Sequence, residues 1–248
     1  REYSAGQFSP VAIRDYLRWA KKLWPKLEAV LLLGDGHYDY RGKDERAGDN
    51  VLPLFEYQHL ASDDYYAALD SAEWIIRQRY GLDLAVGRIP AQNLDDLKGW
   101  FQKLKLYEGK GKLDLGVWHN RNLFVADDFL AGGGALDPVG HTTQLEEVAR
   151  AADALFPLSE NQRLMLANYR LDALGEKGEA SSDWIEAINA GRWLMVYFGH
   201  GGAHQIADEN LFDISRVPRL SNASKPTIFG FFSCLLGRFD RPKENSLS

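Results

Sequence analysis

The stretch Trp193-Leu194-Met195-Val196-Tyr197-Phe198 is an uninterrupted apolar run that leads directly into Gly199-His200-Gly201-Gly202. An apolar run this short, bounded by glycine, predicts a buried β-strand rather than a helix. A second run of the same kind, residues 227–232, leads into Ser233-Cys234. The sequence therefore predicts two strands that each end on a residue type able to take part in catalysis.

The remainder of the chain alternates between similar apolar runs and amphipathic segments. Further strands are predicted at residues 29–33, 82–86, 122–126 and 163–167, the first of them as a buried strand. Apolar residues at spacings of three and four predict helices over residues 10–24, 93–107, 142–155 and 182–190, with Asn93 as an N-cap. This alternation predicts an α/β fold with a mostly parallel, six-stranded sheet and helices on both of its faces.

Composition excludes several classes of protein. With 45% hydrophobic and 26% charged residues, the 248-residue chain can bury a core, and no linker divides it, so we expect one globular domain over residues 1–248. A net charge of -6 without a basic run disfavours binding to nucleic acid or to an anionic membrane. No apolar stretch approaches the roughly 20 residues that span a bilayer. The first residue is not Met and the last residues are polar, as is typical of a fragment of a longer protein.

The chemistry of the chain is expected beyond the carboxyl ends of the strands, where sites lie in open α/β sheets. Adjacent parallel strands are about 4.8 Å apart, so His200 and Cys234 can meet if their strands are neighbours. An imidazole can then take the thiol proton, and backbone N–H groups in the glycine-rich turn can form an oxyanion hole. On residue types alone, Cys234 is equally a small buried residue and His200 a turn residue.

Six segments, in order along the chain, resemble blocks of the gingipain family, the caspase-like cysteine peptidases of bacterial surfaces. They are LGDGHYDY (33–40), SDDYY (62–66), VGRIP (86–90), FVADD (124–128), GHGG (199–202) and SCLLGRFD (233–240). The blocks are most similar to the sortase-type members that serve type IX secretion. The resemblance covers most of residues 27–245, which we expect to be the catalytic core, with residues 1–26 as a lead-in helix region.

The resemblance implies a caspase-like fold and assigns a role to each residue of a candidate site. Cys234 is the expected nucleophile and His200 its base, while the backbone N–H groups of Gly201 and Cys234 form the expected oxyanion hole. Asp63 is the expected acid that orients the imidazole, as in other triads. Asp64 is its close rival for that role.

Other polar residues near the strand ends carry weaker expectations. His37 and Asp64 are candidates for lining the substrate cleft, although a polar turn explains His37 equally well. Asp127 and Asp128 suit a divalent cation, yet acids at strand ends more often accept hydrogen bonds from loop N–H groups. The resemblance requires no cofactor and is compatible with a structural calcium ion, whose ligands it does not assign.

The function that the resemblance implies is a cysteine endopeptidase or sortase that forms an acyl-enzyme and processes secreted proteins. Its expected partners are protein or peptide substrates and other secretion-system proteins, and its expected place is extracytoplasmic, at the bacterial outer-membrane surface or secreted. The alternative is a catalytically silent or latent scaffold that keeps the motifs and serves in a secretion or surface-assembly complex.

Overall fold

A computed structural model describes residues 3–43, 50–57, 60–70, 81–109, 116–131, 135–136, 140–241 and 247. The chain divides into two compact units, Arg1–Phe101 with Phe239–Glu244, and Gln102–Arg238 with Asn245–Ser248. A single peptidase domain over residues 1–248, with a lead-in region and a catalytic core, stays a prediction.

The first unit contains a two-stranded parallel sheet. Strand β1 (Ala29–Leu33) pairs in register with β4 (Ala85–Ile89), and a short antiparallel pair, β2 (Glu56–Tyr57) and β3 (Leu60–Ala61), lies between them in sequence. Helix α1 (Pro10–Leu23) begins at a proline and has two lysines in its last turn, both favourable positions at helix ends. Helix α2 (Asp64–Ala67) is a single turn, and α3 (Leu94–Tyr107) begins in this unit.

The second unit contains a four-stranded, wholly parallel sheet of β5 (Arg121–Ala126), β8 (Glu160–Met165), β9 (Leu194–Phe198) and β12 (Ile228–Phe232). The strands lie in the order β12–β9–β5–β8. Short antiparallel pairs join β6 (Leu130–Ala131) to β7 (Ala135–Leu136) and β10 (Gln205–Ile206) to β11 (Phe212–Asp213). Short 3₁₀ helices cover Val117–Asn120, Leu166–Asn168 and Ile214–Arg219.

Helices cover both faces of this sheet. Since strand side chains alternate between the faces, successive residues of β5 pack against different helices. Leu123 and Val125 of β5 pack in a core with Trp184 of helix α5 (Gly178–Ala190). The intervening Phe124 of β5 packs instead with Leu145 of helix α4 (His141–Leu155). Both clusters consist of buried side chains, so the central strands β5 and β9 are packed on both sides.

The predicted α/β class with parallel strands and helices on both faces is confirmed, but the single six-stranded sheet is wrong. All six predicted strands form, four in the sheet of the second unit and two in the first. Apolar runs indicate where strands are and carry little information on which strands pair. The expectation that the first strand is buried is also half wrong, since Leu32 is buried while Leu31 and Leu33 are 50% and 40% exposed.

Within the described ranges, no helix is both long and apolar enough to cross a bilayer.

Candidate active site

The register of two neighbouring strands places His200 and Cys234 at the same end of the sheet. Strands β9 and β12 pair in parallel, and their last paired residues are Phe198 and Phe232. His200 and Cys234 each follow two residues later. The two strands are therefore neighbours, which is the condition for His200 and Cys234 to meet, and both residues lie beyond carboxyl ends, where α/β sheets carry their sites.

The two loops that carry these residues approach each other closely. A Cβ atom on Gly201 would lie 2.3 Å from Oγ of Ser233, which is far inside van der Waals contact. Any larger residue at position 201 would therefore force the side chain of Ser233, the neighbour of Cys234, to shift. Cys234 itself is exposed, and His200 is half-buried, so both remain open to a molecule from solvent.

The main chain of His200 is held at its N–H and at its carbonyl. The N–H donates to Oδ2 of Asp127 at 2.8 Å, and the carbonyl accepts from the N–H of Ala207 at 3.0 Å. The hydroxyl of Tyr197 lies 2.7 Å from this carbonyl and 3.0 Å from the same Asp127 oxygen, so one proton is shared between two acceptors. An isolated antiparallel bridge between Gly201 and Ile206 continues the turn.

A second imidazole faces His200. His141, the first residue of α4, packs edge-to-face against the ring of His200 with 5.2 Å between centroids. His141 at the start of its helix therefore places a second titratable ring directly beside His200, which follows the end of β9.

Behind the turn lies a buried cluster of Asp127, Asp128, Glu209 and Lys177. Ligand atoms of the three acids lie within 4.8 Å of one another. Lys177 bonds to the carboxylate of Asp128 and, at 2.7 Å, to the carbonyl of Leu166, so an ammonium group already supplies positive charge here. The acids also accept backbone hydrogen bonds, Asp127 from the N–H of Asp128 and Asp128 from the N–H of Leu130. A calcium ion stays a prediction.

Burial dominates the electrostatics of this cluster. It raises the pKa of Asp127, against hydrogen bonds from His200, Asp128 and Tyr197 that lower it. It also raises the pKa of Glu209 to about 7, with a smaller contribution from the carboxylates of Asp128 and Asp127. The pKa of Tyr197 is raised strongly by burial, so its hydroxyl remains a neutral donor.

Asp63, the predicted orienting acid, is engaged in the first unit. Its two carboxylate oxygens each lie 2.7 Å from a nitrogen of Arg88, which forms a bidentate ion pair. The side chain of Arg88 is 4% exposed and also donates to the carbonyl of Gly34 at 2.7 Å. A role of Asp63 or of its exposed neighbour Asp64 in orienting His200 stays a prediction.

The candidate cleft residues also lie in the first unit. His37 is buried, its N–H donates to Oδ1 of Asn50 at 2.7 Å, and its Nε2 lies 2.7 Å from Nδ2 of Asn50. Asp64 is exposed at the start of α2. Their contact with substrate stays a prediction.

Sequence reasoning missed the surroundings of His200. Tyr197 counted only as an apolar strand residue, His141 was not singled out, and Asp127 was considered only as a cation ligand or loop acceptor. The one available signal was the order of residues at the strand ends, since Asp127 follows β5 and β5 neighbours β9. It could not be used before the strand order was known.

Known proteins resemble this chain in family and in fold. The family model described as peptidase family C25 matches residues 1–248. The Arg-specific cysteine proteinase gingipain R (RgpB) superposes with a TM-score of 0.69 at 19% identity, over 99% of this chain and 49% of its own. The complex of the Porphyromonas gingivalis RgpB pro- and mature domains gives 0.70 at 18%, over 99% and 50%. No curated protein matches the chain by sequence.

These structures share the fold of the present chain, and they confirm the predicted caspase-like α/β class. The chain spans about half the length of the solved relatives that it matches. Since the family model covers every residue from the first to the last, the chain belongs to peptidase family C25.

Proposed function

We propose that the chain is the catalytic part of a cysteine peptidase in which Cys234 attacks a peptide carbonyl and His200 takes the thiol proton. The observation that carries this proposal is the pairing of Phe198 with Phe232, which puts both residues two positions beyond neighbouring strand ends. Family membership adds to it, because the pair falls in the segments that resemble the gingipain His and Cys motifs.

The chemistry follows from the residue types. Sγ of Cys234 forms a bond to the carbonyl carbon, the thiol proton moves to His200, and His200 returns it to the leaving amine as the C–N bond breaks. The resulting acyl-enzyme is released when water or another amine attacks the carbonyl and the C–S bond breaks. The N–H groups of Gly201 and Cys234 are the proposed donors to the oxyanion of each tetrahedral intermediate.

We further propose that the natural acceptor is an amine and that the substrates are secreted proteins at the bacterial outer-membrane surface. Support comes from the resemblance of the six ordered blocks to the type IX secretion sortase PorU. Other secretion-system proteins are then its partners. Asp63 is the proposed orienting acid. No cofactor is required, and the proposal is compatible with a structural calcium ion.

A peptide-cleavage assay tests the peptidase. The protein is incubated with a pool of peptides, with and without a glycine-based amine, and the products are identified by mass spectrometry. We expect cleaved peptides, and amine-capped products when the amine is present, and we expect Cys234→Ala to abolish both. His200→Ala should lower the rate by about 10²-fold or more, as is usual for loss of a general base.

Each outcome bears on a different part of the proposal. Cleavage without amine-capped products would overturn the sortase assignment and keep the peptidase. Cleavage that persists in Cys234→Ala would overturn both. A protein that binds peptides and never cleaves them would support the alternative, a latent scaffold.

A further inference from the structure

A groove of about 470 Å³ lies at the edge of the four-stranded sheet, between β8 and α5, and its size is typical of ligand sites. Apolar side chains of Leu123, Leu164 and Ala187 line it together with charged ones. In the strand order β12–β9–β5–β8, this edge is opposite to β12, the strand that leads to Cys234. In the described part of the chain the lining shares no residue with the candidate active site, so the groove is a separate feature.

Arg192 lines this groove as a buried cation. It is 7% exposed, and its guanidinium donates to the carbonyl of Gly191 at 2.9 Å and to Oε1 of Gln162 at 2.6 Å. Its Nε has no hydrogen-bond partner, and no carboxylate of the described residues bonds to it. Burial lowers the pKa of Arg192, the charge of Arg121 adds to this effect, and Glu160 opposes it. Since buried charges are usually paired, Arg192 favours an anionic group on a molecule bound in the groove.

The other arginine of the groove differs because its own chain neutralises it. Arg163 bonds to Asp153 at 2.5 Å and to Glu146 at 3.3 Å. The hydrogen bond to Asp153, with a smaller contribution from Glu146, raises the pKa of Arg163. The groove thus contains one arginine that is already paired and one, Arg192, that bonds to neutral oxygens alone.

The other end of the groove is acidic. Asp183 and Glu186 line it from exposed positions on α5, and the hydroxyl of Tyr169 donates to Asp183 at 2.7 Å. Asp183 lies seven positions before Ala190, which ends α5 two residues ahead of Arg192. Seven helical residues span about 10 Å. The groove therefore has a positive end at Arg192 and a negative end at Asp183, separated by most of the length of α5.

Strand β8 adds main-chain groups to the groove. Among the described strands it pairs only with β5, so its other edge is open to a further strand. In an added strand every second side chain points to the same face of the sheet. Side chains four residues apart in such a strand lie about 13 Å from each other, a separation that lets flexible side chains reach the two ends of the groove.

We propose that this groove binds an extended peptide segment, which adds to the edge of β8 and places an acidic side chain on Arg192. A basic side chain four residues away then lies beside Asp183 and Glu186. Hydrogen bonds between a carboxylate and a guanidinium are among the strongest in proteins, and main-chain pairing with the strand supplies further affinity. The site holds a partner or substrate protein away from Cys234, and it does not depend on the proposed peptidase activity.

Calorimetric titration with peptides tests the proposal. The protein carries Cys234→Ala, so that no peptide is cleaved. The probes are acetyl-Asp-Val-Thr-Val-Lys-amide and acetyl-Lys-Val-Thr-Val-Asp-amide, which cover both directions of an added strand. We expect one of them to bind, and we expect replacement of its aspartate by asparagine to weaken binding about tenfold or more, because a charge-assisted hydrogen bond is lost.

Two protein variants and one altered peptide locate the effect. Arg192→Gln should bind the aspartate and asparagine peptides equally, because the cation that distinguishes them is gone. Arg163→Gln is the matched control, since it removes the paired arginine of the same groove, and its preference for aspartate should stay within about twofold of the unaltered groove. Methylation of the three internal backbone nitrogens of the peptide removes the donors to β8 and should weaken binding about tenfold.

The opposite results would overturn the proposal. These are the failure of both peptides to bind, a preference for aspartate that persists in Arg192→Gln, and equally tight binding of the methylated peptide. If Arg192→Gln does not fold, Ala190→Trp decides in its place, because it fills the groove from an exposed position. We expect Ala190→Trp to abolish binding, and unchanged binding would overturn the proposal. None of these results bears on the role of Cys234, which peptide cleavage decides.

Discussion

At the scale of single residues, the sequence reveals the motif residues but not the residues that bond to them. His200 and Cys234 could be found from the sequence because each follows a short apolar run and sits in a recognisable block. The hydrogen bond from His200 to Asp127 joins residues 73 positions apart, and no local pattern encodes it. Asp63 also lies in a recognisable block, but its ion pair with Arg88 is visible only in the structure.

The Asp63–Arg88 pair leads to a prediction about stability. Asp63→Asn leaves the guanidinium of Arg88 buried without its counter-charge, and we expect a loss of about 3 kcal/mol in the free energy of unfolding. Asp64→Asn, at the exposed neighbouring position, should change it by less than about 0.5 kcal/mol. Urea denaturation of both variants measures the difference.

Equal stabilities for Asp63→Asn and Asp64→Asn would contradict a structural role for this ion pair. An orienting role of Asp63 toward His200 is a separate matter. It would appear as a loss of peptide cleavage larger than the loss of folded protein accounts for.

At the scale of elements, the sequence predicted which segments form strands better than where they begin. The strand predicted at residues 82–86 forms at Ala85–Ile89, because Arg88 enters it with its charge neutralised by Asp63. The strand predicted at residues 163–167 begins at Glu160 with polar residues, whose side chains an edge strand can leave in solvent. Three helices begin and end within one residue of the prediction, whereas α5 begins at Gly178 and not at residue 182. Asn93 caps α3 as predicted by accepting from the N–H groups of Asp95 and Asp96.

The buried acids join several elements and should make their association depend on pH. Glu209 follows β10, Asp128 follows β5, and Lys177 precedes α5 and donates its backbone N–H to the carbonyl of Glu209 at 3.1 Å. Burial raises the pKa of Glu209 from 4.5 to about 7. Between these values the folded state holds a proton that the unfolded state releases, so the protein loses stability as pH rises.

We expect a fall of at most about 1.4 kcal/mol per pH unit from this one group, between about pH 4.5 and pH 7. Glu209→Gln keeps a neutral side chain of similar shape at every pH, so its stability should fall less steeply over the same window. Asp208→Asn, at the exposed adjacent residue, should keep the slope of the unaltered protein. The measurement is urea denaturation at pH 5, 6 and 7. If the free energy of unfolding has the same slope against pH in Glu209→Gln and in the unaltered protein, the pH dependence does not come from Glu209.

At the scale of the whole molecule, the sequence predicted the fold class and the family but not the division into two units. Alternating strands and helices indicate a parallel sheet, whereas the separation of β1 and β4 from the other four strands depends on pairing between distant segments. The division of the strands between two sheets leaves the candidate dyad together, because both of its strands, β9 and β12, lie in the same sheet of the second unit. The order of strands decides which sequence motifs can act together.

Activation of Cys234 by His200 is tested most directly by the reaction of the thiol with a peptide-like electrophile. The protein is incubated with a peptidyl acyloxymethyl ketone, which alkylates thiolates that catalyse acyl transfer, and its intact mass is followed in time. We predict one adduct, mapped to Cys234, absent in Cys234→Ala and formed at least about 10²-fold more slowly in His200→Ala. An adduct that persists in Cys234→Ala, or that forms equally fast in His200→Ala, would contradict the claim.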